Sequence, residues 1–154
     1  MTDFNIRNKV ALITGGSKGI GRAVALRLAE HGVKIAVNFN TSADAAENVA
    51  ASINEMGVEA MTVHADVSSI DMVTNMVDKV NQAWGNIDIL VNNAGIIDDT
   101  LMIRMSDSQW EKVISTNLNG TFYCTRSVLR PMLKKRWGRI ISIGSVVGIR
   151  GNAG

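Results

Sequence analysis

Three glycines in the segment TGGSKGIG, residues 14–21, have a spacing that suits phosphate binding. Because the segment links an apolar run to a helical pattern, Gly15 can turn the chain, Gly19 can let the backbone approach a phosphate, and Gly21 allows close packing. The N-terminus of the helix would then attract the pyrophosphate of a dinucleotide. The spacing is GxxxGxG and lacks the GKS or GKT of a P-loop, which argues against a nucleoside triphosphatase. A tight turn that binds nothing is the alternative.

The residues after the second apolar run indicate which dinucleotide would bind. Sites for NAD usually place an acidic residue there to hold the ribose 2′-hydroxyl, whereas a basic residue suits the 2′-phosphate of NADP. No acid occurs from Asn38 to Ser42, and Lys18 stands within the glycine loop. The sequence therefore favours NADP(H), although Lys18 could also be an ordinary solvated lysine.

Five short apolar runs predict the strands of a sheet. Most are nearly continuous rather than alternating, which is typical of parallel strands covered on both faces. Helical patterns separate them, and this alternation with right-handed crossovers predicts a doubly wound, Rossmann-like α/β sheet in the order 3-2-1-4-5. The runs cover residues 10–14, 33–37, 59–65, 87–91 and 139–143.

Local signals predict where the helices begin and end. Segments 41–44, 68–71 and 106–109 match capping boxes, in which a Ser or Thr begins a helix. The last pattern predicts one long helix over about 107–135, and Pro131 should kink or end it because proline removes a backbone donor.

Asn117 interrupts the apolar face predicted for this long helix. A polar side chain on such a face needs a buried hydrogen-bond partner. Thr116, Asn119 and Gly120 are, like Asn117, weak helix formers, so we expect a local distortion there. The predicted face comprises Trp110, Val113, Ile114, Leu118 and Phe122.

Composition limits the classes of protein to consider. The chain has 154 residues, 46% hydrophobic and 19% charged, as expected for a single globular domain over residues 1–154. A net charge of +2 gives no reason to expect nucleic acid. Cys124 is the only cysteine, so an internal disulfide is excluded, and no spacing suits a metal. Without a signal peptide or membrane-length apolar run, the expected location is the cytoplasm and not the membrane.

Five motifs, in order, resemble those of the short-chain dehydrogenase/reductase family: TGGSKGIG, HADVSS, ILVNNAG, STNLNG and GRIISIGSVVG. The resemblance implies hydride transfer between NADP(H) and a carbonyl compound. It implies that Asn117 organises a proton-relay water and that Ser145 binds the substrate carbonyl as the second catalytic residue. The implied cofactor contacts are Thr14, Gly15, Gly16, Ser17, Lys18, Gly19, Ile20, Gly21, Asn40, Asp66, Val67, Asn93, Ala94 and Gly95.

The family's catalytic tyrosine and lysine, in a YxxxK motif, are missing. Tyr123 is the only tyrosine and has Ser127 four positions later, so it does not match the motif. We therefore expect an incomplete chain that lacks the C-terminal strands and helices of the family. The fifth strand would then be an exposed edge.

Within the family, the sequence resembles bacterial reductases of β-ketoacyl groups carried on acyl carrier protein. The resemblance implies a carrier-protein or acyl-CoA thioester substrate and a homo-oligomer, a dimer or tetramer. In KKRWGR, residues 134–139, it implies a carrier-binding patch centred on Arg136, whereas cations that merely complement a helix dipole are the alternative. Acetoacetyl-CoA reductase, another reductase of the family, and a non-catalytic NADP(H)-binding module remain open.

Overall fold

A parallel five-stranded sheet in the order β3-β2-β1-β4-β5 organises the computed structural model, which describes residues 5–152. The predicted strand order is confirmed. The predicted domain, 1–154, extends beyond the described residues at 1–4 and 153–154. The strands are β1 Val10–Ile13, β2 Lys34–Phe39, β3 Ala60–His64, β4 Ile89–Asn92 and β5 Arg139–Ser142.

Helices connect the strands and cover both faces of the sheet. They are α1 Gly19–Ala29, α2 Ala43–Glu55, α3 Ile70–Trp84, α4 Asp107–Ile114, α5 Gly120–Lys135 and the short α6 Val147–Arg150. A 3₁₀ turn covers Met102–Arg104, and a π-helical segment, Ser115–Asn119, joins α4 to α5.

The central strand β1 explains why the apolar runs are continuous. Val10 and Leu12 pack into the core that α3 and α5 cover, whereas Ala11 and Ile13 pack into the core that α1 and α2 cover. Side chains of a strand point alternately to the two faces of the sheet, and here both faces are buried. The strand therefore has no position that favours a polar residue.

Among the described residues, β5 forms one edge of the sheet, and all four of its residues are exposed. It pairs with β4 from Ile89–Arg139 to Asn92–Ser142. Ile140 and Ile141 remain 37% and 47% exposed, which agrees with the predicted exposed edge.

The long helical region agrees with its prediction in the local distortion and departs from it in the apolar face. A π-helical segment at Ser115–Asn119 confirms the expected distortion, and Pro131 lies inside α5 without ending it. The predicted apolar face is wrong, because Trp110, Leu118 and Phe122 are all more than half exposed. The side chains that α5 buries instead are Cys124, Val128 and Met132.

Two of the three predicted capping boxes are also wrong. Helix α2 begins after Ser42, not Thr41, and its cap residue makes no side-chain cap bond. Helix α3 is capped by Ser69, whose Oγ accepts the Met72 N–H at 3.4 Å. The box at 106–109 is confirmed, with Ser106 and Gln109 each bonding to the backbone of the other.

Candidate functional site

The glycine loop follows β1 and has no room for side chains at two of its glycines. Gly15 has a φ of +60°, and a Cβ there would lie 3.0 Å from the Cα of Ala94. A Cβ on Gly21 would lie 2.5 Å from the Gly15 carbonyl oxygen and from Asn93 Nδ2. Gly19 also has a positive φ, +53°, but faces open space. The loop is thus fixed on its inner side and open where α1 begins.

The first turn of α1 has no side-chain acceptor for its free N–H groups. Lys18 is the N-cap residue and makes no cap bond, and the first turn carries no acidic residue. The Lys18 ammonium instead donates to the Ser42 hydroxyl at 2.9 Å. Lys18 and residues 41–45 line a small cavity of about 300 Å³ beyond the end of β2. Lys18 brings a positive charge to this corner, and Asp44 in the same lining brings a negative one.

Thr14 joins the glycine loop to the loop after β4. Its side chain is buried, and its Oγ accepts the N–H groups of Asn93 and Ala94, both at 2.9 Å. Asn93 Nδ2 donates back to the carbonyl oxygens of Thr14 and Gly15, at 2.9 and 3.0 Å. These loops flank the point where the strand order reverses, between β1 and β4, which is where doubly wound sheets bind ligands.

Asp66 follows β3, and Ser68 holds its carboxylate by hydrogen bonds. One of its carboxylate oxygens accepts the hydroxyl and the backbone N–H of Ser68, at 2.7 and 2.9 Å. These hydrogen bonds hold the pKa of the Asp66 carboxyl below its ordinary value, with a smaller contribution from Asn40. The adjacent Val67 is buried against Gly120, where a Cβ would lie 2.7 Å from Val67 Cγ2.

A cavity of about 310 Å³ brings together six of the predicted cofactor contacts. They are Gly15, Asn40, Asp66, Val67, Ala94 and Gly95. Lys18 lines the smaller cavity. The other predicted contacts belong to the surrounding loops and the start of α1, outside the lining of the 310 Å³ cavity: Thr14, Gly16, Ser17, Gly19, Ile20, Gly21 and Asn93.

Sequence reasoning missed several residues that line the 310 Å³ cavity. Asn38 lies in its wall, as do Lys112, Ser115 and Thr116 from the far side. Ser115 and Thr116 lie three and four residues after Lys112, so the three side chains share one helical face. Polar residues in that pattern are also typical of a solvated face, so the sequence does not mark them as a site.

Asn117 is exposed, which corrects the expectation of a buried side chain. Its Oδ1 accepts the N–H of Ile96, and its Nδ2 donates to the Ile96 carbonyl, both at 2.9 Å. The predicted partner is therefore the backbone of the loop after β4, not a group in the core. This pairing fixes the orientation of the Asn117 amide.

Ser145 lies after β5 and lines the same cavity as Asn117, with a volume of about 670 Å³. Its Oγ accepts the Val147 N–H at 3.2 Å, so its own proton is available to a second partner. Ile97, Trp110 and Val147 give this cavity a largely apolar wall. The arrangement suits a carbonyl group attached to an apolar chain.

Two other predicted features lie away from these cavities. Tyr123 packs partly buried against the core, and its backbone carbonyl accepts the Ser127 hydroxyl at 2.8 Å. Arg136 is exposed at the end of α5, with a left-handed φ of +54°. It contributes to the lining of a surface groove with Leu133 and Trp137.

Comparison with known proteins identifies the family. The family model described as short chain dehydrogenase matches residues 9–154. The chain belongs to the short-chain dehydrogenase family. A family member from Burkholderia cenocepacia, solved in complex with NADP, superposes with a TM-score of 0.88 at 35% identity, covering 97% of this chain and 60% of that one.

Curated members of the family agree with this assignment. A 3-oxoacyl-acyl-carrier-protein reductase FabG of Staphylococcus epidermidis is 48% identical over 147 residues, covering 96% of this chain. The corresponding reductase of Synechocystis is 48% identical over 146 residues, covering 95% of this chain. The chain spans about 60% of the length of these curated relatives. None of the helices within residues 5–152 has the length and apolar character needed to cross a bilayer.

Proposed function

We propose that residues 1–154 form the NADP(H)-binding part of a reductase that converts a 3-oxoacyl thioester on acyl carrier protein to the 3-hydroxyacyl form. The observation that carries the proposal is the 310 Å³ cavity in which Gly15, Asp66 and Ala94 meet at the reversal of strand order. The FabG relatives support the substrate, and the NADP-bound neighbour supports the cofactor.

The residues present fit an NADP(H) molecule. The close approaches at Gly15 and Gly21 leave a loop of bare backbone, and the uncapped start of α1 offers N–H groups to a pyrophosphate. Asp66 and Val67 would hold the adenine, and Lys18 would pair with the 2′-phosphate. The remaining contacts come from the other loop residues predicted above, including Asn40 and Asn93. No acid stands among residues 38–42 to repel the phosphate.

When bound, the nicotinamide supplies a hydride to the carbonyl carbon of the substrate. Ser145 would donate a hydrogen bond to the carbonyl oxygen, since its own oxygen already accepts the Val147 N–H. This donation stabilises the negative charge that develops on the oxygen. Asn117, held by the Ile96 backbone, would position the proton-relay water. The proton donor itself would be the YxxxK tyrosine in the part of the relatives that this chain does not span.

Arg136 is proposed to contact the acidic carrier protein. Its side chain is exposed beside Lys134, whereas Lys135 pairs with the Asp88 carboxylate at 2.6 Å, so Arg136 and Lys134 supply the exposed positive charge at this end of α5. Charge clusters of this kind steer an oppositely charged partner.

The test is to express the polypeptide encoded by the reading frame that includes this chain and anything that follows Gly154. We expect NADPH-dependent reduction of 3-oxoacyl groups on carrier protein. Arg136→Glu should slow reduction of the carrier-linked substrate but not of a small thioester. Equal loss on both substrates would contradict the carrier contact, and a reading frame that stops after Gly154 would leave only cofactor binding.

A further inference from the structure

Asn38 connects the two sides of the proposed cofactor cavity through a buried amide. Its side chain stands at the end of β2, and the residue is only 2% exposed. Oδ1 accepts the Gly15 N–H at 3.1 Å. Nδ2 donates to the carbonyl oxygens of Val63 and Ala65, at 3.2 and 3.0 Å. One side chain therefore bonds to the glycine loop on one side and to the end of β3 on the other.

The backbone of Asn38 strengthens the same connection. Its carbonyl oxygen accepts the Gly16 N–H at 2.8 Å, so two successive N–H groups of the glycine loop end on this one residue. Asn38 also lines the 310 Å³ cavity, between Gly15 on one wall and Asp66 on the other. The first wall would receive the pyrophosphate, and the second would receive the adenosine.

An amide is the functional group that this position requires. A carboxylate could accept from Gly15 but could not donate to the two carbonyls, and an aliphatic side chain could do neither. Because the group is buried, each bond that is lost would leave a backbone group without a partner. Asn38 thus bonds the glycine loop directly to the end of β3 through one buried side chain.

We infer that Asn38 is a positioning residue that sets the separation between the pyrophosphate loop and the adenosine wall. The inference rests on the proposed NADP(H) binding. Its alternative is that Asn38 only satisfies backbone groups at the end of the sheet and affects stability without affecting the ligand. A ligand that spans both walls distinguishes the two, because only such a ligand depends on their separation.

The experiment compares two ligands on the polypeptide of the whole reading frame that includes this chain and on its Asn38→Ala variant. NADPH spans both walls, whereas adenosine lacks both the pyrophosphate and the 2′-phosphate that Lys18 of the glycine loop would hold. We expect the substitution to weaken NADPH binding about tenfold or more and adenosine binding by less than about threefold. The adenosine wall retains a backbone anchor in the variant, because the Ala65 N–H still donates to the Phe39 carbonyl at 3.0 Å.

Asn54 provides a control at an exposed position. Its Oδ1 accepts the Ala60 N–H at 2.9 Å, so it holds the opposite end of β3 in a similar way. Asn54→Ala should lower stability and leave both affinities unchanged. Equal losses of the two ligands in Asn38→Ala, or an unchanged NADPH affinity, would overturn the inference.

Amide hydrogen exchange separates this inference from the proposed function. In Asn38→Ala, or in Asn38→Ser if the alanine variant does not fold, the Gly15 amide should exchange at least about tenfold faster. Gly16 should not change, because its partner is the backbone carbonyl. An unsubstituted chain that binds neither ligand would refute the cofactor proposal, while an unchanged Gly15 exchange rate would refute the role of Asn38 independently.

Discussion

Thr14 and Asn93 each use a side chain to bond to the backbone of the other. The Thr14 Oγ accepts the Asn93 N–H, and Asn93 Nδ2 donates to the Thr14 carbonyl, both at 2.9 Å. The two residues follow neighbouring strands, so this reciprocal pair holds the glycine loop and the loop after β4 together. The proposed cofactor site is therefore largely organised by contacts within the chain itself.

Thr14→Val should destabilise the chain by about 2–3 kcal/mol. Valine has a similar shape but removes the oxygen that accepts from Asn93 and Ala94, and a buried N–H without a partner costs about 1–3 kcal/mol. Thr14→Ser, which keeps the oxygen, should cost only about 1 kcal/mol. Urea unfolding measures both values. A valine variant as stable as the serine variant would show that these bonds contribute little.

Asp66 should contribute to stability in a pH-dependent way. Because the folded-state pKa is lowered by the Ser68 hydrogen bonds, the folded chain binds protons less readily than the unfolded chain. The contribution is present above the unfolded pKa of about 3.9 and is lost as the pH falls through the folded pKa. Urea unfolding of the chain and of Asp66→Asn should differ most at neutral pH. A difference that grows as the pH falls would contradict this sign.

Lys18→Ala should reduce the preference for NADPH over NADH. The Lys18 ammonium lies 2.9 Å from the Ser42 hydroxyl, at the corner where the 2′-phosphate is proposed to bind. We expect NADPH affinity to fall about tenfold, since a charge-assisted bond is lost, with little change for NADH. Lys9→Ala is a suitable control, because the Lys9 ammonium lies over the Trp137 ring at 4.4 Å. Fluorescence titration that shows equal losses for both dinucleotides would contradict the assignment.

Arg136→Gly should stabilise the chain by about 0.5–1 kcal/mol. Arg136 has a left-handed φ of +54° directly after α5, a conformation that glycine adopts without steric cost. The neighbouring Lys134 has helical geometry, so Lys134→Gly should instead destabilise by about 1 kcal/mol. Thermal unfolding of the two variants should therefore shift in opposite directions. A loss of stability in both would refute the backbone argument.

The strands and their order were predictable because burial on both faces leaves a strong signal. A run such as VALIT, residues 10–14, is short, apolar and rich in β-branched residues, which favours a buried strand over a helix, and the glycine loop behind it restricts the choice further. The gathering of Gly15, Asp66 and Ala94 at one cavity follows from the same logic, since parallel strands end at a common edge.

The helical face that contacts the core was not predictable from spacing alone. The pattern starting at Trp110 assumes a constant 3.6 residues per turn, but the π-helical segment changes the phase before Cys124. Asn38 was missed for another reason. Its importance comes from Gly15, Val63 and Ala65, which are distant in sequence, and no local motif records those bonds.

The π-helical segment at Ser115–Asn119 also has a genetic consequence. A π turn holds about one residue more than an α turn, so removal of a single codon there would restore a regular α-helix. Because a π turn and an α turn each complete one turn of the helix, the residues on the two sides of the deletion would keep nearly the same relative rotation. Cys124 would therefore stay in the core, whereas Asn117, inside the segment, would lose its alignment with the Ile96 backbone. An in-frame deletion of one residue here should thus spare the packing of α5 while breaking the contact between Asn117 and Ile96.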